Sequence, residues 1–284
     1  MATLTDGSID NVLTARTALF TPANRPDRIA KAPGTSADIV IADLEDAVGE
    51  AEKGAARELL KQFLSDSEQD ALHRVVVRIN RPTTSHGEED LAMLSELTQH
   101  PAAIMVPKAE AQGVLDRLPA ALSSVKVVAL VETPTGIRDI HAIAALDRVD
   151  RLAIGAIDLS AALGCQVDST PIHTARAGLV IASAAAGLPA PLDSPGTNFR
   201  DPDEMRATAD RSARDGFGGT LCIHPRQLEY VLEAFTPTDE AIDWAKRVVA
   251  VGDGAGVVDG EMVDRPVLLR AERILLAAGQ ESQV

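Results

Sequence analysis

The apolar residues of this chain gather into short continuous runs rather than alternating with polar ones. Eight such runs fall at residues 17–21, 39–43, 75–79, 103–106, 127–131, 152–154, 190–192 and 219–223. A short unbroken run rich in Val and Ile predicts a strand covered on both faces, as in a parallel sheet. The runs recur at intervals of about 22 to 38 residues, which leaves room for a crossover helix each time. Between them, residues 52–63 and 88–97 carry apolar positions three and four apart, the spacing of an amphipathic helix. Residues 201–215 place Met205, Ala209 and Ala213 on one stripe. Eight parallel strands of this period predict an α/β fold, a (β/α)8 TIM barrel. An open doubly wound sheet is the alternative. Its glycine-rich dinucleotide turn is missing after the first strand, where the chain reads Pro22-Ala23-Asn24-Arg25-Pro26.

The pattern continues past the eighth strand. Helices are predicted over 227–235 and 240–250, followed by a glycine-rich break at 252–256. Residues 257–263 read as a small hairpin turning on Asp259-Gly260, and 267–278 as a last helix. Residues 12–235 are therefore read as the barrel. Residues 236–284 exceed what a barrel needs and are read as a C-terminal extension, a lid or an oligomer arm.

Charge narrows the range of partners. Forty-two acidic against 27 basic residues give a net charge of −15 over 284 residues. Nucleic acid and anionic membrane surfaces both demand clustered Lys and Arg, so neither is expected as a partner. Two cysteines, Cys165 and Cys222, stand far apart and in no metal-binding or redox spacing. The first eleven residues lack the basic and apolar stretches of a secretory leader, and no run approaches about 20 apolar residues. A cytoplasmic setting is expected.

Three of the runs end abruptly in charge. Val75-Val76-Val77 ends in Arg78, 127–131 ends in Glu132, and Leu152-Ala153-Ile154 leads through Gly155 to Asp158. Lone charges inside a buried strand are costly, whereas charges just past the carboxyl ends of strands are where α/β folds build sites. Glu132 and Asp158 would end neighbouring strands and converge on one hard cation such as Mg²⁺, which takes one or two protein carboxylates. Each acid taken alone is equally well read as the cap of its following helix. Arg78 suits an anionic substrate, held bidentately. It also suits an ion pair with the acids of Asp43-Leu44-Glu45-Asp46, of which Glu45 and Asp46 are expected to support it. Phe20, Arg25, Arg28 and Lys31 follow the first strand and offer cations beside an aromatic, a weak phosphate signal. His224 ends the eighth strand, and no histidine stands after the second.

In their order along the chain these segments resemble a known family. They are 19–28, Asp43-Leu44-Glu45-Asp46-Ala47-Val48, Val77-Arg78-Ile79-Asn80, Pro107-Lys108, Glu132-Thr133-Pro134-Thr135-Gly136, Gly155-Ala156-Ile157-Asp158-Leu159 and Ile223-His224-Pro225-Arg226-Gln227. The chain resembles the citrate lyase β-subunit-like enzymes of the HpcH/HpaI aldolase group, which includes malyl-CoA lyase. The resemblance implies a (β/α)8 barrel and an Mg²⁺-dependent carbon–carbon lyase. It puts the metal on Glu132 and Asp158, the substrate on Arg78 and Glu132, and CoA on Phe20, Arg25 and Lys31. It makes Asp264, in Met262-Val263-Asp264-Arg265-Pro266, the acid/base. Ala23 and Ser194-Pro195-Gly196 depart from the commoner family pattern.

The activity this implies is cleavage or formation of a 3-hydroxyacyl-CoA thioester, such as malyl-CoA or citramalyl-CoA, to acetyl-CoA and a 2-oxo acid. The expected partners are those small molecules and further copies of the chain, as a trimer or hexamer. Three alternatives stand beside it. One is a citrate lyase β subunit acting on citryl-acyl-carrier protein. A second is a class II pyruvate aldolase, disfavoured by the missing histidine. The third is a non-catalytic barrel serving as a binding or assembly module.

Overall fold

A computed structural model describes residues 11–31, 34–252 and 256–279. Eight parallel strands close into a barrel in sequence order, with β8 pairing back onto β1. They are β1 (Thr17–Pro22), β2 (Ile39–Asp43), β3 (Val75–Arg78), β4 (Ala103–Val106), β5 (Lys126–Val131), β6 (Arg151–Ile154), β7 (Leu192–Asp193) and β8 (Gly219–Cys222). Helices α1 (Asn11–Thr14), α2 (Pro26–Lys31), α3 (Lys53–Asp66), α4 (Gln69–Leu72), α5 (Ser85–Ser95), α6 (Pro134–Arg138) and α7 (Ile140–Ala144) accompany the first five strands. Helices α8 (Ala156–Leu163), α9 (Thr170–Ala186), α10 (Pro202–Arg214) and α11 (Gln227–Phe235) follow the last three.

The continuous runs have the expected cause. Alternate residues of the strands fill the barrel interior, among them Ile39 and Ile41, Ala103 and Met105, Val128 and Leu130. The intervening Val40, Ile104 and Val127 are equally buried, on the outer face that the helices cover. The N-terminal end of the barrel is closed by α1 and by Arg151. Arg151 Nη1 donates to the carbonyls of Val12 (2.7 Å) and Ala15 (2.9 Å), and Nε to that of Ala190 (3.0 Å). Burial pushes this guanidinium down to about 9.

All eight strands lie where the runs place them, with one shift. The seventh run, 190–192, yields only Leu192–Asp193, because Pro191 has no N–H to donate to the ladder. Asp193 thereby becomes a strand end. Helix boundaries move to their caps. Thr84 Oγ1 accepts from Gly87 N, so α5 starts at Ser85 rather than at 88. Asp201 caps α10 in the same way. Helix α9 buries Ile172, Ala175, Leu179 and Ala182, a stripe three and four apart in which alanine stands for the larger apolar residues.

The chain divides into two compact units after Val231. The second contains α12 (Asp239–Val251), β9 (Gly256–Val258), β10 (Glu261–Val263) and α13 (Arg265–Ala277). Strands β9 and β10 form an antiparallel pair, turning on Asp259 (φ 52°) and Gly260 (φ 87°), the two left-handed positions of a tight hairpin. Val248, Val263, Leu268, Ala271 and Leu275 make this unit's own core. Of the glycine-rich break read at 252–256, residues 253–255 lie outside the described residues, as do 1–10 of the N-terminal segment.

Candidate active site

The carboxyl ends of β2 and β3 are in register, so Asp43 and Arg78 face each other directly. Arg78 Nε donates to Asp43 Oδ1 at 2.7 Å and Nη2 to Oδ2 at 2.6 Å, a planar fork on a carboxylate. Asp43 also accepts the backbone N–H of Glu45 (2.9 Å) and Ala47 (3.0 Å), which curls the following loop back over the strand end. That loop brings Glu45 Oε2 to 3.1 Å and Asp46 Oδ2 to 3.3 Å from Arg78 Nη1. Phe20, from β1, lies under the guanidinium with its ring centre 4.7 Å away. Burial works against the charge on Arg78. The hydrogen bonds and attraction of Asp43, joined by Glu45 and Asp46, outweigh it and hold Arg78 above its ordinary range. The expected support from Glu45 and Asp46 is present, but the principal partner is Asp43.

Lys108 joins this group to Glu132. It lies two residues past β4 in a left-handed conformation (φ 49°) that turns both of its nitrogens towards carboxylates. Its backbone N–H donates to Glu132 Oε1 at 2.9 Å, and Nζ donates to Glu45 Oε1 at 2.6 Å. Nζ is also 3.8 Å from Glu132 Oε1. Glu132 follows β5 directly and is 3% exposed. A Cβ on Gly155 would come within 2.4 Å of Glu132 Oε2, so the carboxylate occupies space that only glycine leaves open.

Asp158 corrects one expectation. It does not end a strand: β6 stops at Ile154, and Asp158 lies exposed in the first turn of α8. The chain turns at Gly155 and winds at once into helix. The Ala156 N–H donates to Ser194 Oγ (3.1 Å), just past β7. Asp193 accepts from the Ser194 N–H (2.8 Å) and pairs with Arg176 Nη2 (2.5 Å), while burial raises its carboxyl against the pull of that arginine. Asp158 still acts electrically on Glu132. Burial, the charge of Glu45 and that of Asp158 push the Glu132 carboxyl up to about 8, against the pull of Lys108. Burial raises Glu45 as well, despite Arg78 and Lys108. Its Oε2 is buried and, beside the ion pair with Arg78 Nη1, accepts no hydrogen bond among the described residues.

These residues fit a hard divalent cation. Carboxylates that repel one another and exceed the local cations lose that repulsion when a +2 ion enters. No group of three or more His, Cys, Asp or Glu among the described residues stands ready to enclose a metal. Glu132 and Asp158 would supply two ligands and leave the rest to water and substrate, which suits Mg²⁺.

The other expected residues are more scattered. Arg25 is exposed and forks onto its neighbour Asp27 (3.0 and 3.1 Å). Lys31 is exposed at the end of α2. Phe20 lies within β1 rather than past it as expected, and of the three residues expected to meet CoA it is the one whose ring packs on Arg78. Asp264 belongs to the second unit, where its Oδ1 caps α13 by accepting from Val267 N (3.2 Å). His224 follows β8 and stacks on Phe199 with ring centres 4.6 Å apart. Cys165 and Cys222 are both free thiols, and burial pushes Cys222 up to about 12. Among the described residues no helix is long and apolar enough to cross a membrane. The residues missed as site candidates are Asp43 and Lys108. Asp43 ends an apolar run just as Arg78 does, and Lys108 stands two residues beyond one, so the same signal was available for both.

The chain is similar to known proteins over most of its length. The chain is 39% identical over 273 residues to the citrate lyase subunit beta-like protein of Mycobacterium tuberculosis, spanning 92% of this chain and 95% of the relative. It is 33% identical over 272 residues to the (3S)-malyl-CoA thioesterase of Cereibacter sphaeroides, spanning 93% and 94%. The crystal structure of CitE from Mycobacterium tuberculosis, in complex with magnesium, acetoacetate and coenzyme A, superposes with a TM-score of 0.81 at 36% identity. That match covers 94% of this chain and 99% of CitE. Residues 16–225, nearly the whole barrel, match the HpcH/HpaI aldolase/citrate lyase model, and the chain belongs to that family.

Proposed function

We propose that this chain is an Mg²⁺-dependent carbon–carbon lyase that cleaves or forms a 3-hydroxyacyl-CoA thioester of the malyl- or citramalyl-CoA type. The observation that carries the reading is Glu132. It is a buried carboxyl at a strand end, pushed up to about 8 by burial and by the charges of Glu45 and Asp158. That is the condition a bound cation relieves, and the CitE relative was crystallised with magnesium and coenzyme A.

Glu132 and Asp158 are the proposed ligands. Bound there, the cation would act as a Lewis acid on the 2-oxo group. Arg78 keeps its bidentate grip on Asp43 and offers Nη1 to the substrate carboxylate. Asp46, whose side chain is 58% exposed and 3.3 Å away, is the partner most readily displaced. Lys108 holds Glu45 and Glu132 in place. Phe20, Arg25 and Lys31 are assigned to CoA. Asp264 is assigned the proton at the acetyl methyl group. In condensation it removes that proton, the resulting enolate carbon attacks the 2-oxo carbon as the C=O π bond opens, and the alkoxide so formed takes a proton from solvent. In cleavage the hydroxyl gives up its proton, the carbon–carbon bond breaks to the 2-oxo acid and the enolate, and Asp264 returns a proton to the enolate carbon. The unit beyond Val231, which carries Asp264, would serve as a lid or as the arm of a homo-oligomer. The setting is read as cytoplasmic.

The malyl-CoA thioesterase relative favours a second reading, in which the thioester is hydrolysed. One experiment separates the readings. Purified protein is given a panel of 3-hydroxyacyl-CoA thioesters and a citryl-acyl-carrier protein, with and without Mg²⁺. Both 2-oxo acid and free thiol are measured. Mg²⁺-dependent release of 2-oxo acid from a malyl- or citramalyl-type CoA thioester is expected. Free thiol without 2-oxo acid would indicate the hydrolase, and cleavage confined to the carrier protein would indicate the citrate lyase subunit. Failure to release either product from any substrate would refute the enzyme reading.

A further inference from the structure

Behind the barrel mouth lies a second polar cluster, closed to solvent and apart from the groups assigned to substrate. Its centre is Lys53, the first residue of α3, which is buried. The Lys53 Nζ donates to three acceptors: the carbonyls of Leu44 (3.0 Å) and Glu45 (2.8 Å) and Asn80 Oδ1 (2.6 Å). An ammonium has three N–H groups, so each has a partner. Among the described residues no carboxylate is bonded to it. Asn80, two residues past β3, is fixed in turn. Its backbone N and Nδ2 both donate to Asp90 Oδ2, at 2.8 and 2.7 Å, and Nδ2 also donates to the Leu44 carbonyl at 3.0 Å. Asp90 is fully buried in α5 and receives Arg57 Nε at 2.7 Å, one turn along α3 from Lys53.

The Leu44–Glu45 backbone is thus held from behind by Lys53 and Asn80. On the other side the Glu45 carboxylate reaches Lys108 Nζ at 2.6 Å and Arg78 Nη1 at 3.1 Å. We propose that Lys53, braced by Asn80, is a positioning residue: it fixes the Glu45 backbone so that the carboxylate meets both Lys108 and Arg78. The proposal rests on the reading of Glu45, Arg78, Lys108 and Glu132 as one active site. Without the ammonium, two buried carbonyls and an amide oxygen lose a donor, and the loop that carries Glu45 is free to shift. A displacement of about 1 Å at such a site is enough for a rate loss of roughly 10²-fold.

A cluster serving stability alone would look similar in the resting structure, so the test must read coupling to Glu45. Lys53→Met, Glu45→Gln and the double variant are compared well below their melting transitions. Both kcat/KM and, independently of turnover, the Mg²⁺ dissociation constant are measured. Each single variant is expected to lose about 10- to 100-fold in kcat/KM. The double variant is expected to be no worse than the poorer single one, because Lys53 has nothing left to position once Glu45 is changed. The Mg²⁺ constants should show the same lack of additivity. Lys61→Met, on the same helix but in an exposed pair with Glu96, should match the unaltered protein. Additive losses in either quantity would overturn the proposal, as would unaltered kcat/KM in Lys53→Met. If Lys53→Met does not fold, Asn80→Ala takes its place in the same cycle with the same expected outcomes. Unimpaired turnover in both Glu45→Gln and Glu132→Gln would defeat the active-site reading itself. Impaired Glu45→Gln beside unimpaired Lys53→Met defeats the positioning role alone.

Discussion

Binding of Mg²⁺ to this protein at neutral pH should expel a proton. With its carboxyl pushed up to about 8, Glu132 carries a proton in about nine-tenths of the unliganded molecules at pH 7. A cation ligated by that carboxylate requires it ionised. Binding should therefore release about 0.9 proton at pH 7 and about 0.1 at pH 9, and apparent affinity should gain about tenfold per pH unit below 8. Raising the carboxyl from its ordinary value of 4.5 to about 8 corresponds to roughly 5 kcal/mol of differential interaction. A carboxyl raised in the folded state favours the fold most below about pH 4.5, and that contribution is lost as pH rises through about 8. Metal-free protein should lose thermal stability across that window, and Mg²⁺ should restore more of it at pH 8.5 than at pH 6 (both on the order of these limits). Calorimetric titration at pH 7 in buffers of different ionisation enthalpy measures the proton count directly. A slope of zero, or Mg²⁺ affinity flat across the window, would refute the reasoning. Glu132→Gln should abolish both the linkage and most of the affinity.

Gly155→Ala should be nearly as damaging, since the new Cβ would lie 2.4 Å from Glu132 Oε2. Turnover is expected to fall about 10²-fold or more while the circular dichroism spectrum is retained, and wild-type kcat/KM would show that Glu132 has room to move elsewhere. Arg78→Lys keeps the charge but loses the fork on Asp43, so kcat/KM should drop roughly 10²-fold. Arg151→Met removes the donor to the Val12, Ala15 and Ala190 carbonyls and should destabilise by about 2–5 kcal/mol in denaturant, with kcat unchanged in the molecules still folded. Asp264→Asn and Glu132→Gln should each be inactive alone. Recovered activity in mixed oligomers would show Asp264 serving a neighbouring copy, and full activity of Asp264→Asn would remove its proton-transfer role.

The barrel was legible because its determinants are local. A strand covered on both faces must be apolar at successive positions, so Ile39–Asp43 and Ala103–Val106 could be read residue by residue, as could the Asp259-Gly260 hairpin turn. Charges at strand ends were legible for the same reason: a run that stops in Arg78 or Glu132 marks where the chain leaves the low-dielectric interior. What the pattern could not carry was pairing. Arg78 meets Asp43 across 35 residues, Lys53 meets Asn80 across 27, and Lys108 meets Glu45 across 63. Those distances collapse only when the sheet closes and neighbouring strand ends converge on one mouth. The placement of Asp158 was decided in the same way. The sequence shows an acid four residues past a strand; closure of the barrel sets the turn at Gly155, ties Ala156 to Ser194, and puts Asp158 on a helix from which it raises Glu132. Residue types are written along the chain, but the proton affinity of a buried carboxyl depends on every charge around it, and only the tertiary structure assembles those charges.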